Sequence, residues 1–268
     1  IDSLPTSVFS VVKNGRVYEM GHPHRPGIPH GLSHPPFLYS MVRMHNDAPY
    51  GDGHISAAND IFTSGTHTGT HIDALGHVSC DGHLYDGVPA EDVQHKAGGL
   101  KKHGADEIRP IFRRGVLLDV ARCKGVSLLD PAYPIGANDL AQTAAAQEVR
   151  IEKGDAVFVR TGWDQLFDQP RKYISAAEGC PGVNEEGARW LLEQGMELAG
   201  GDTYAFEVFP AHSLPVHRLL LVERGIHIME SLNLAGLAKD QVYTFLFVCL
   251  PLRISGGTGS PIRPVAVC

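Results

Sequence analysis

Three imidazoles and one carboxylate fall within eleven consecutive residues, His67-Thr68-Gly69-Thr70-His71-Ile72-Asp73-Ala74-Leu75-Gly76-His77. Imidazole nitrogen and carboxylate oxygen are ligands that a borderline divalent ion such as Zn²⁺ or Mn²⁺ accepts. All four groups occupy odd positions, so wherever the segment is extended they leave from one face. A straight strand of ten steps stretches about 33 Å, far more than one ion can bridge. The chain must therefore bend, and Gly69 and Gly76 are where bending is cheap. With 15 histidines in the chain, three could meet in a short window by coincidence. Four potential ligands spaced four, two and four apart make a metal centre the better reading. An ion with an open position activates water, which points to a hydrolase.

Hydrolysis also needs groups that move protons. No histidine lies between His103 and His212, and the last three are His212, His217 and His227. A pocket built from imidazoles would thus join the N-terminal third to a late segment. There the apolar run from His217 to Glu230 could carry both of its ends inward, with Glu230 closing a short strand. Strand ends are where α/β proteins place chemistry. The bland alternatives are a helical His217 bonded to a carbonyl and a surface Glu230. Parity turns His227 away from Glu230, and His212, in a proline-flanked loop, could face either way.

The elements that must position these groups read as α/β. Strands are expected at 37–44, 116–120, 156–160, 198–201, 226–229 and, at greater length, 242–254. Helices are expected at 138–147, 184–194 and 216–223, with Asn184 as N-cap and Gly195 as terminator of the second. Residues 7–18 read as a hairpin turning at Asn14-Gly15. Five prolines between Pro23 and Pro36 exclude a long helix and leave either a surface loop or a flap over the site. The early hairpin and long late strand imply mixed sheets. One compact domain, 1–268, is expected from the length and the lack of a visible linker.

Composition narrows the partners. The chain is 43% hydrophobic and 20% charged with net charge −7, which suits a globular protein and argues against nucleic acid or an anionic membrane. No apolar stretch reaches the roughly 18 residues of a membrane span. Five cysteines, odd in number and widely spaced, argue against a disulfide framework or a thiolate metal site and suit a reducing cytoplasm. The residues from Ile1 onward do not read as a charged leader, so no signal peptide is expected among them.

The eleven-residue segment resembles the His-x-Gly-Thr-His-x-Asp-x-Pro-x-His signature of the cyclase family of metal-dependent hydrolases, a group that includes bacterial kynurenine formamidase and isatin hydrolase. Gly115-Val-Leu-Leu-Asp119, Val159-Arg-Thr-Gly-Trp163, Gly201-Asp-Thr203 and the His217 to Glu230 segment follow in that family's order. The resemblance implies an α/β fold, a swivelling β/β/α domain with mixed sheets, assembled as a homodimer or homotetramer. It implies that His67, His71 and Asp73 bind Zn²⁺ or Mn²⁺ and that His77 transfers protons. His217 and Glu230 correspond to the late pair that helps hold a second ion in two-metal members. Two departures stand out: Leu75 replaces the proline, and His217 and Glu230 are thirteen residues apart, one more than expected.

The expected reaction is hydrolysis of an aromatic amide by metal-activated water, with His77 as the proton shuttle. Isatin opened to isatinate is the first substrate choice and N-formylkynurenine the second. Phe37, Tyr39 and Trp163 are candidate aromatic contacts, although each also reads as core. The rivals are an Fe(II)/2-oxoglutarate oxygenase, using His71-x-Asp73 with His217 or His227 and Arg253-Ile254-Ser255 as a cosubstrate clamp, and a closed, non-catalytic metal site. Gly256-Gly257-Thr258-Gly259 lacks a following Lys and reads as a turn, not a phosphate loop.

Overall fold

A computed structural model describes residues 6–45, 47, 50, 53–175, 177–211 and 213–268. The main sheet contains β1 (Val17–Glu19), β2 (His71–Asp73), β3 (Ile111–Asp119), β4 (Ala156–Arg160), β5 (Leu198–Gly201), β6 (Ile228–Glu230), β7 (Thr244–Cys249), β8 (Gly259–Pro261) and β9 (Val265–Val267). Their spatial order is β1-β9-β7-β3-β4-β5-β6-β2-β8. The four central strands β3, β4, β5 and β6 are parallel, and every other pairing in the sheet is antiparallel.

The parallel centre follows from its residues. Every position of Ala-Val-Phe-Val-Arg in β4 is buried, as expected for a strand covered on both faces. Val116, Leu118, Val157, Val159, Ala199 and Ile228 fall on one face, beneath helices α1 (Ala137–Ala146) and α2 (Glu185–Gln194). Leu117, Phe158, Leu198 and Met229 fall on the other, against Phe245, Phe247 and Leu237. Helix α2 starts and stops as its sequence requires: Asn184 accepts from the Gly187 N–H, and Gly195 takes the left-handed conformation. Helices connecting parallel strands exclude the jelly roll that the oxygenase reading needs.

Three expectations are corrected. Residues 7–18 do not form a hairpin. Thr6–Val11 is a 3-10 helix, and β1 pairs instead with β9 at the far end of the chain. The Asn14-Gly15 turn is present, with Gly15 at φ +70 and Arg16 N–H bonded to Asn14 Oδ1, but tertiary pairing decides its partner. The late strand covers only Thr244–Cys249, because Pro251 has no N–H to continue the ladder. The helix expected at 216–223 is one α-turn, Pro215–His217, widening into a π-turn at Arg218–Glu223.

The strand expected at 37–44 exists as Leu38–Arg43, but it lies outside the main sheet. It forms a two-stranded ribbon with Asn59–Thr63. Leu38, Met41, Val42, Ile61 and Phe62 on this ribbon are all exposed.

Candidate metal centre

β2 is three residues long and wholly buried, paired with β6 on one side and β8 on the other. Register sets Glu230 opposite His71 and Met229 opposite Ile72. Strand alternation then does the sorting: Ile72 and Met229 enter the apolar core, so His71, Asp73 and Glu230 share the opposite face. His67 reaches the same place because the chain reverses at Gly69, whose φ is +69 and whose absent Cβ would meet Ile28 Cδ1 at 2.9 Å. His217 arrives from above, at the junction of the α- and π-turns.

Five of the six expected site residues therefore converge as two overlapping triads, His67–His71–Asp73 and Asp73–His217–Glu230, with ligand atoms in each lying within 4.8 Å of one another. Asp73 is common to both. His67 Nδ1 lies 2.7 Å from Asp73 Oδ1. His71 Nε2 lies 3.3 Å from Glu230 Oε2, and His217 Nε2 lies 3.2 Å from Glu230 Oε1. The extra residue between His217 and Glu230 does no harm. A π-turn takes up one residue more than an α-turn, so the pair still meets.

The donor set fits a divalent cation. Asp73 and Glu230 are both buried, and among the described residues His71 Nε2 and Asp73 Oδ2 have no hydrogen-bond partner. Orphaned buried polar atoms are rare, and a cation facing both would satisfy them. The outer contacts prepare the rings as ligands. His71 Nδ1–H donates to Gly69 O at 2.8 Å, and His217 Nδ1–H donates to Glu207 Oε1, so each ring turns Nε2 toward the carboxylates. Burial opposes charge on both rings. The pull of Asp73 and Glu230 outweighs it at His71, lifting that group to about 10, while Glu207 and Glu230 lift His217 well above the usual imidazole range. Positive charge is what this cluster wants, as protons or as metal.

His77 stands beside the triads. Its ring stacks on His67 with centroids 3.9 Å apart and lies 6.4 Å from the ring of His217. Leu75 in place of proline does not displace it: His77 N–H closes a turn on Ala74 O, and Gly76 N–H bonds His103 O. At Gly76 a Cβ would stand 3.0 Å from the backbone oxygen of His103, so glycine suits this close approach. Burial lowers the His77 ring to about 4 against the opposing pull of Asp73, leaving it neutral and able to accept a proton.

His67 and His77 form one wall of a pocket of about 330 Å³, completed by His34, Pro35, Gly65, Thr66 and Thr258. The proline-rich segment does cover this site. Thr68 Oγ1 and Gly65 N–H both donate to Pro35 O, and His34 sits 5.2 Å from the His67 ring.

Several residues that matter here were not singled out from sequence. Glu207 holds His217 through its ring and its backbone N–H. Thr258 Oγ1 lies 2.9 Å from His67 Nε2, placed by the turn that the glycines around it announce. His227 donates from Nδ1 to Asp73 O at 2.7 Å, behind the centre, in keeping with its opposite parity. His212 lies outside the described residues. The aromatic candidates do not line the pocket: Phe37 stacks on Phe62, Tyr39 is exposed on the ribbon, and Trp163 is buried with Nε1–H bonded to Tyr173 O. Arg253 is exposed and makes no clamp.

A profile of the Cyclase family matches residues 18–208. The chain belongs to the Cyclase family. Among family relatives, it is 29% identical over 235 residues to an isatin hydrolase of Roseibium aggregatum, covering 84% of this chain and 81% of that one. It is 28% identical over 203 residues to a kynurenine formamidase of Bacillus cereus, covering 76% and 77% respectively. A crystal structure of a novel cyclase superposes with a TM-score of 0.90 at 29% identity, covering 98% of this chain and 90% of the other. Among the described residues, no helix is long and apolar enough to cross a membrane.

Proposed function

We propose that this cyclase-family, metal-dependent hydrolase opens a cyclic or aryl amide, with isatin to isatinate as the leading reaction and N-formylkynurenine as the second substrate to test. The carrying observation is the pair of buried triads sharing Asp73 beside a pocket walled by His67 and His77. The isatin preference is supported by the isatin hydrolase relative, which aligns over more of this chain than the formamidase relative does.

His67, His71 and Asp73 would hold the first ion, Mn²⁺ or Zn²⁺, with His217 and Glu230 able to hold a second beside Asp73. A divalent ion there supplies Lewis acidity and brings the pKa of a water from 15.7 towards about 7. The protein does the rest. Glu207 and Gly69 fix the two imidazoles, and the walls of the pocket limit water at the scissile carbonyl. His77, neutral in its half-buried position, takes the proton of the attacking water as the new C–O bond forms. The same ring returns that proton to nitrogen as the C–N bond breaks, so that the leaving group departs as an amine, not an amide anion. His34, Thr66 and Thr258 are polar groups placed to orient a substrate in the pocket.

The reading includes self-association as a homodimer or homotetramer. Its support is the ribbon. A two-stranded hairpin with apolar side chains in water is marginal on its own, and this one leads through Ser64 and Gly65 directly into the pocket wall. Five free thiols suit the reducing cytoplasm inferred from their spacing.

Elemental analysis of the purified protein, followed by absorbance assays with isatin and N-formylkynurenine in parallel, tests the proposal. Metal-dependent turnover of either is expected. Full metal loading with neither substrate hydrolysed would refute the amide assignment.

A further inference from the structure

A second pocket, of about 400 Å³, lies away from the metal centre. Its floor is made by Asp119 and Arg160, the paired last residues of the parallel strands β3 and β4. Asp119 follows Leu117 by two positions and Arg160 follows Phe158 by two, so both share the face of those apolar residues. That face is opposite the one that carries His71, Asp73 and Glu230. Outside the carboxyl ends of parallel strands is where open α/β sheets accept ligands. Arg122, from the short helix after β3, and Lys239, from the helix Ala235–Asp240, complete the charged lining.

The charge of this pocket opposes that of the chain. Three cations and one carboxylate leave the lining at about +2 at neutral pH, on a protein of net charge −7. Arg122 and Lys239 have no ion-pair partner among the described residues. Arg160 is the buried member, 9% exposed, with Nη1 donating to Asp119 Oδ1 at 2.9 Å. Its Nε–H is buried without a partner among the described residues. A guanidinium offers five N–H donors, and one carboxylate does not use them all. Asp202 and Asp164 also act on Arg160, but neither lines the pocket. Asp202 is already taken up by Thr161 N–H, Thr161 Oγ1 and Gly162 N–H.

We propose that this pocket is a binding site for a small dianionic oxyanion, distinct from the hydrolytic centre. Arg160 supplies a fixed, buried guanidinium at the base, and Arg122 and Lys239 close on the ligand from two separate helices. The net charge of the lining matches a dianion, and an arginine fork suits the planar or tetrahedral oxygens of a carboxylate or phosphate.

Inorganic phosphate titrated calorimetrically into the metal-loaded protein at fixed ionic strength, with chloride as the reference salt, is the direct test. One saturable site is expected. The double variant Arg122→Gln/Lys239→Gln should weaken it by about tenfold or more while leaving metal content and thermal midpoint in chloride unchanged, because both side chains are exposed. Malonate in place of phosphate separates the two sources of the charge: similar affinity defines a general dianion site, and phosphate alone a tetrahedral one. Asp73→Ala reports on the other cation-bearing centre, and phosphate binding should survive it. Binding that never saturates, that is unchanged in the double variant, or that disappears with Asp73→Ala would overturn the proposal; if Asp73→Ala fails to fold, the double variant alone decides.

Discussion

The metal centre and the apolar ribbon are separated by only three residues of sequence, Ser64, Gly65 and Thr66, yet they treat water in opposite ways. In the centre, imidazoles and carboxylates are buried, Asp73 completely. On the ribbon, Val42 and Phe62 stand 66% and 60% exposed. Each inverts the ordinary placement of its residue types. The inversions are informative because the first describes a cation that side chains alone do not supply, and the second is the surface that the proposed self-association would cover. Substitutions should separate them cleanly, with centre variants altering metal and turnover, and ribbon variants altering mass.

The largest effect is expected from Asp73→Ala, which removes the one carboxylate shared by both triads. Metal should be lost on purification and turnover should fall to background, as read by elemental analysis and the amide assay. His77→Ala should keep its metal and lose about 10²–10⁴ in kcat, the usual worth of a general acid–base group. Unchanged kcat would remove the ring from the proton path. Glu207→Gln should hold the fold but release the charge on His217, lowering metal affinity by about 10–100-fold in a chelator competition.

Acidity offers a finer test of the centre. Without a cation, His71 keeps its proton up to about 10, above the ordinary imidazole value. An arriving ion must displace that proton at neutral pH, so affinity should rise by roughly tenfold per pH unit while one proton is exchanged. Titration in buffers of different ionisation enthalpy would show the release; pH-independent affinity would count against it. The smallest chemical effect belongs to the ribbon. Val42→Asp with Ile61→Asp should reduce the solution mass toward the 29.0 kDa of one chain, with metal content unchanged, by light scattering. A wild-type protein that already runs at that mass would break the comparison.

The two regions also differ in how far sequence could reveal them. The centre was legible because three imidazoles and an acid at fixed short spacing are rare without a purpose, and because the apolar run and the family's order pointed to Glu230 while parity turned His227 away from it. Its supports were hidden by distance. Glu207 and Thr258 are ordinary polar residues until folding brings them to His217 and His67, the second across 191 positions. The ribbon illustrates the converse failure. Apolar residues at 37–44 correctly signalled a strand, but alternation cannot say whether a strand enters the sheet or leaves it. The expected hairpin at 7–18 failed for a related reason: a turn signal at Asn14-Gly15 fixes a reversal, and only the C-terminal strand β9 fixes which partner β1 meets. The caps of α2 were readable because they are satisfied by neighbours within a few residues.

The widened turn at Arg218–Glu223 has a bearing on how such proteins are to be recognised. A helix that can absorb a single inserted amino acid uncouples the count of residues from the distance they span. Removing one residue from this stretch should let it tighten into ordinary α-helix and leave the imidazole above and the carboxylate below in place. Kinship judged by a rigid interval between those two positions would then discard chains whose chemistry is intact, whereas the compact segment at 67–77, pinned at its own bends, has no comparable slack.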